Sequence, residues 1–181
     1  AATVALVDLP DPPPALDARG VAPYEVSPGE PGELIVSGPH VNRSYLDNPA
    51  ANAVNKLHAP DGTVWHRTGD VASVDGQGRL WLRGRVKDLV HHQGRGVHPL
   101  PIEAAVSALD GVVCAALLTT ARHPEGVLVI EGQADSAALS ALLSGFGLAD
   151  IPRVDVQRIP MDYRHNSKID RVALRAQLER A

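Results

Sequence analysis

Three short clusters in this sequence bring together side chains able to handle phosphate, sugar or carboxylate groups. The first, His66-Arg67-Thr68-Gly69-Asp70, sets an Asp behind a glycine that permits a tight turn. A carboxylate presented there offers two acceptor oxygens, which is what a ribose diol requires. A turn Asp bonded only to its local backbone is the competing reading. The second cluster, Gly84-Arg85-Val86-Lys87-Asp88, alternates charge after a glycine, a pattern shared with solvated connectors. The third, His165-Asn166-Ser167-Lys168-Ile169-Asp170-Arg171, places Lys168 on a polar loop ahead of an amphipathic helix. Such a lysine is either an ordinary surface residue or a mobile cation delivered to a phosphate.

Other signals carry less. His91 and His92 are adjacent, so on a strand they point to opposite faces and cannot share a metal. The remaining histidines lack ligand spacing, and the expectation is that this chain builds no metal site of its own. Gly94-Arg95-Gly96 is too short for a phosphate-binding fingerprint, and no strand, glycine-rich loop and helix surround it.

The elements that must position these clusters follow from local patterning. Thr3 to Val7 reads as a strand followed by a long, Pro-rich irregular connection, and Glu33 to Ser37 as a second strand. Asn48 to Leu57 is expected to be a short helix, with Asn48 as cap and Pro49 in the first turn. Asp61-Gly62 is a turn. Val64 to His66, Val71 to Val74 and Leu80 to Leu82 read as short antiparallel strands, the last two joined through Asp75-Gly76-Gln77-Gly78. Beyond Gly84 the expected order is a strand from Val86 to His92, a helix from Ile102 to Leu109, and strands at Val112 to Thr119 and Val127 to Ile130. A helix from Ser136 to Phe146, a strand from Val154 to Ile159 and a closing helix from Asp170 to Arg180 complete it. A β-rich front and an α+β rear, joined near Gly84, is the coarse architecture.

Composition limits the function classes. The chain has 181 residues, room for one ordinary domain or two small ones, and 44% are hydrophobic, enough for a packed core. Only 3% are aromatic, so that core rests on Val, Leu, Ile and Ala. The formal net charge is −4 and Lys and Arg form no block, which argues against a nucleic-acid surface. The lone cysteine, Cys114, lies in an apolar run and reads as a small buried hydrophobe. No apolar run approaches the ~18 residues of a membrane span. No signal peptide is visible, so a cytoplasmic protein is the expectation. The first residue is Ala1, not Met, which leaves processing or truncation upstream open.

In this order the segments resemble the superfamily of acyl-CoA ligases, nonribosomal-peptide adenylation domains and luciferases. Gly32-Glu33-Leu34 through Ser44-Tyr45-Leu46 looks like its glycine-rich "GEL…G…GYL" segment, and Arg67-Thr68-Gly69-Asp70 like its "RTGD" motif. Gly84 to Asp88 looks like its "GRxKD" hinge, and Gly94 to Glu103 like the loop and helix start that follow. Asn166 to Arg171 looks like the terminal "NGKIDR". Asn42-Arg43-Ser44-Tyr45, Val64-Trp65-His66-Arg67 and Arg164-His165-Asn166-Ser167-Lys168 are similar to the β-lactone synthetases of olefin biosynthesis. Gly84 to Asp88 with Gly94-Arg95 is closer to fatty-acyl-AMP ligases and ordinary CoA ligases. Ser167 stands where glycine is usual, and Pro101 replaces a more usual acidic or small residue.

The resemblance implies an α+β fold: residues 1–83 as the β-rich end of a large N-terminal domain, 84–88 as hinge, and 89–181 as a small mobile C-terminal lid domain. It implies that Asp70 and Arg85 hold the nucleotide, Lys168 is catalytic, Lys87 is the hinge residue, and Gly94 marks an acceptor-side loop. The implied activity is ATP-dependent conversion of a carboxylic acid, fatty or β-hydroxy fatty, to acyl-AMP, followed by transfer or closure to a β-lactone. Thioester formation on coenzyme A or on the phosphopantetheine of an acyl carrier protein is the alternative. A detached, non-catalytic module that binds an adenylation or carrier partner is the competitor from another class. The superfamily's phosphate-binding loop and Mg²⁺-binding Thr-Glu segment are absent, so ATP and Mg²⁺ would be held largely by an N-terminal region lying upstream. The chain alone is therefore expected to be inactive.

Overall fold

The computed structural model describes residues 2–163 and 168–180. It is α+β, and the backbone divides into two compact units, Ala1–Lys87 and Asp88–Ala181.

The first unit is built on one five-stranded sheet. Its strands are β1 (Thr3–Val7), β2 (Gly32–Ser37), β3 (Lys56–His58), β4 (Val64–Val74) and β5 (Leu80–Arg85). All pairings are antiparallel. β4 runs between β2 on one side and both β3 and β5 on the other, while β1 flanks β2. Val7, Leu16, Val21, Ile35 and Leu57 form its buried cluster. Helix α1 (Pro49–Asn55) starts as its sequence demands: the Asn48 side chain accepts from Ala51 N–H at 3.1 Å, and Pro49 occupies the first turn. It ends two residues before the expected Leu57. Lys56–His58 instead pairs with Val64–His66 across the Asp61-Gly62 turn, because burying Leu57 on the sheet outweighs one more helical turn.

Two further expectations change. Val64 to His66 and Val71 to Val74 are one strand of 11 residues, with Gly69 inside it rather than at a turn between strands. β5 continues past Leu82 to Arg85, so Gly84 and Arg85 are hydrogen-bonded sheet residues and not a free connector. Three successive apolar side chains of β5, Leu80, Trp81 and Leu82, are exposed.

The β4–β5 turn is organised by Asp75. Its Oδ1 accepts from the Gln77 and Arg79 N–H groups at 2.9 and 3.0 Å, and its Oδ2 from Arg79 Nε at 2.7 Å and Trp81 Nε1 at 2.8 Å. The Trp81 indole, followed by Arg79, holds this carboxyl down at about 2. A depressed acid contributes stability above its unfolded value, here 3.8, and loses it as pH falls through the folded value. Carboxyl NMR of Asp75 should therefore titrate near 2, with the Trp81 indole proton moving in step. A midpoint at the ordinary aspartate value would show that the turn does not hold the charge.

The second unit has a three-stranded sheet of β8 (Val112–Leu118), β9 (Val127–Gly132) and β10 (Arg153–Val156). β9 is central, antiparallel to β8 and parallel to β10. Strand alternation sends Ala115, Leu117, Leu128 and Ile130 to one face, under helices α2 (Pro99–Ser107) and α3 (Ser136–Gly145). Ala116, Leu118, Val127 and Val129 face α4 (Arg171–Arg180) through Leu174 and Leu178. Cys114 lies half-buried on β8 beside this second cluster. The hairpin of β6 (Val90–His92) and β7 (Arg95–Val97) adds Val90 and Val97 to the first cluster. Val86–Asp88 is a 3-10 turn rather than the start of β6, and the Asp88 carboxylate reaches Arg171 Nε at 3.4 Å. β10 stops at Val156. The expected last residue of that strand, Ile159, is buried instead in the α4-side cluster, its N–H donating to Glu131 Oε2 at 2.7 Å.

Candidate functional site

In the first unit the site is a bulge. Glu33 pairs with Val71 and Ile35 with Arg67, so Thr68, Gly69 and Asp70 stand opposite Leu34 alone. Thr68 fills the gap: its hydroxyl donates to Leu34 O at 2.7 Å and accepts from Asp70 N–H at 3.0 Å. Gly69 takes φ +72°, a conformation a side chain would strain. Arg67 anchors the bulge from below, with Nε and Nη2 donating to Glu33 Oε2 at 2.9 and 2.7 Å, both side chains nearly buried.

Asp70 leaves this bulge directly across from Arg85, its register partner on β5. Arg85 Nη1 donates to Asp70 Oδ1 at 2.6 Å, and the two side chains are 49% and 33% exposed. A carboxylate and a guanidinium are thus fixed side by side at a solvent-facing edge. The first accepts hydroxyl protons and the second donates to anionic oxygens, the complementary needs of a sugar and its phosphate.

Lys168 belongs to the second unit and is exposed. Its backbone is framed by residues 160–162: Asp162 N–H donates to Lys168 O at 2.7 Å, Asp170 N–H to Pro160 O at 2.8 Å, and Met161 bridges Ile169. Asp170 then caps α4, accepting from Val172 and Ala173 N–H at 3.1 and 2.9 Å. Arg164 to Ser167 of the terminal motif, with the Ser167 substitution, lie outside the described residues.

Lys87 is exposed and is the last residue of the first unit. Gly94 sits with Gln93 in the two-residue β6–β7 turn, both at positive φ (+74° and +49°), as a tight hairpin turn of this kind requires. The turn is fastened on both sides. His92 is buried, with Nδ1 3.1 Å from Glu125 O and Nε2 3.0 Å from Asp150 Oδ1, while His91 is exposed on the opposite face. Gln93 Nε2 also donates to Asp150, and Arg95 Nη2 donates to Gly147 O at 2.8 Å. The His92 hydrogen bond holds the Asp150 carboxyl below its ordinary range.

Sequence reasoning passed over Glu103 and Arg171. Arg171 Nη2 donates to both Glu103 oxygens at 2.7 and 2.9 Å and Nη1 to Leu117 O at 2.9 Å; Glu103 Oε1 also accepts from Leu117 N–H at 2.8 Å. Burial pushes the Glu103 carboxyl up, against the pull of Arg171. A signal was present: Glu103 interrupts the apolar face Ile102-x-x-x-Val106, and a carboxylate at such a position needs a cation.

Among the described residues no group of three or more His, Cys, Asp or Glu side chains is arranged to hold a metal ion, and no helix is long and apolar enough to cross a membrane.

No protein-family model matches the chain. Over 161 residues, 81% of its length, it is 36% identical to an olefin β-lactone synthetase of Stenotrophomonas maltophilia (strain K279a). Over 91 residues, 50% of its length, it is 41% identical to 2-hydroxy-7-methoxy-5-methyl-1-naphthoate–CoA ligase of Streptomyces carzinostaticus. The chain is homologous to acyl-CoA ligases and olefin β-lactone synthetase. The matches span 29% and 16% of those two relatives, less than a third of their length. The fold agrees: ATP-bound MatB from Rhodopseudomonas palustris superposes with a TM-score of 0.73 at 25% identity, over 98% of this chain and 34% of that one. Homology and coverage together are consistent with the C-terminal portion of an adenylate-forming enzyme.

Proposed function

We propose that this chain supplies the nucleotide-gripping strand and the catalytic lysine of an ATP-dependent enzyme that converts a carboxylic acid to acyl-AMP. The observation that carries the reading is the Asp70–Arg85 pair, presented on a bulge braced by the Thr68 hydroxyl. Asp70 accepts from the ribose hydroxyls and Arg85 donates from the hinge side. The acid's carboxylate oxygen attacks the α-phosphorus, the bond to the bridging oxygen breaks, and pyrophosphate leaves. Lys168 meets the charge that gathers on the carboxylate and α-phosphate. Rotation at Lys87 then withdraws Lys168 and brings the Gly94 turn to the acyl-adenylate.

A β-hydroxy fatty acid closing to a β-lactone is the favoured second step, because the match to the β-lactone synthetase runs along 81% of the chain. Thioester formation on coenzyme A or an acyl carrier protein is the second reading, supported by the CoA-ligase relative. Product analysis with a β-hydroxy acid separates lactone from thioester. The residues that would hold the triphosphate belong to a phosphate-binding loop this sequence lacks. The 181-residue chain alone is therefore expected to give no ATP–pyrophosphate exchange with any fatty acid. In a polypeptide that also carries such a loop, exchange should appear and depend on the acid. Exchange by the chain alone would overturn this division of labour, and no exchange by the longer protein with any acid would favour a non-catalytic binding module.

A further inference from the structure

Glu103 and Arg171 pair within the second unit, and Arg171 follows Lys168 by three residues. We infer that Arg171 is a positioning residue for Lys168, tying the lysine's frame to Asp88, the residue next to Lys87; this rests on the catalytic reading of Lys168. The argument begins with the backbone. Residues 168–170 are held on one side by Pro160–Asp162 and on the other by the capped start of α4. Ile159 and Ile169 pack this segment against the α4-side cluster, and Arg171 adds the polar tie that sets its register on the unit.

Its guanidinium, 17% exposed, points inward and reaches three separate elements: Glu103 of α2, Leu117 O of β8, and Asp88, the first residue of the second unit. Glu103 is in turn fixed to the same strand through Leu117 N–H. A planar fork can satisfy three directions at once; an ammonium group cannot. The frame of Lys168 is therefore tied through Arg171 to Glu103 and Leu117 by hydrogen bonds and to Asp88 by an ion pair. A loose frame would leave the unit folded but deliver the lysine off target, and sub-ångström placement governs how much a catalytic group contributes.

The test has two arms. In the 181-residue chain, R171K should raise amide exchange at Asp162 and Asp170, the N–H groups that frame Lys168, about tenfold, while Leu128 in the sheet, whose N–H donates to Pro152 O, stays within twofold. Equal rises everywhere would mean a general stabilising role, and no rise would mean no anchor; either overturns the inference. E103Q, which keeps the shape but not the charge, gives the same readout if R171K fails to fold. In a longer adenylating protein containing this chain, R171K should slow acyl-adenylate formation about tenfold and leave the second step, started from supplied acyl-adenylate, nearly unchanged. K168A is run beside it. If K168A still adenylates, the catalytic reading of Lys168 has failed. If K168A is inactive and R171K is fully active, the positioning inference alone has failed.

Discussion

Lys168→Ala, made in an adenylating protein that contains this chain, should cost on the order of 10²–10³ in the rate of acyl-adenylate formation while leaving the protein folded. Stability is expected to hold because the bonds that shape this segment are backbone bonds. Lys168 O still accepts from Asp162 N–H, and Met161 still bridges Ile169, whatever the side chain. The side chain itself is exposed, so its loss opens no cavity. The cost falls on a transition state that concentrates negative charge between carboxylate and α-phosphate. The same variant given acyl-adenylate directly should complete the second step with far smaller loss, since the contact belongs to one domain orientation. Equal loss in both steps would indicate misfolding or a shared role, and full adenylation would make Lys168 a plain surface lysine.

Asp70→Ala should weaken ATP more than the acid. One charge-assisted hydrogen bond is worth about 1.5–3 kcal/mol, so a rise in KM for ATP of about ten- to a hundredfold is expected after water recovers part of the loss. The bulge should survive, because its frame is Thr68 Oγ1 on Leu34 O and Asp70 N–H on Thr68 Oγ1, neither of which uses the carboxylate. Arg85 loses its partner but is half exposed and can be hydrated, so the thermal midpoint should move little. An unchanged KM for ATP with a raised KM for the acid would reassign Asp70 to the acid pocket.

Features whose cause is local were legible in the sequence. The Asn48-Pro49 helix start and the Asp75 to Gly78 turn each depend on residues within a few positions of one another. The motif order was legible for the same reason, since each motif is a short contiguous string. What escaped was set by distant partners. Nothing near Gly69 announces that Leu34 lies opposite, so from sequence the bulge is indistinguishable from a turn between two strands. Nothing near Asp70 announces Arg85 as its register partner, which converts two separate motifs into one pair. Glu103 and Arg171, 68 residues apart, could be matched only by asking which cation a carboxylate on an apolar helix face requires.

Leu117 has a consequence for how such a protein changes over generations. Its side chain packs in the cluster that contains Val90 and Val97 of the Gly94 hairpin, and its carbonyl holds Arg171 at the foot of the Lys168 loop. One strand residue thus sits beneath both loops. A substitution that shifts it is inherited by the two together, so drift in this strand would not tune one loop while sparing the other.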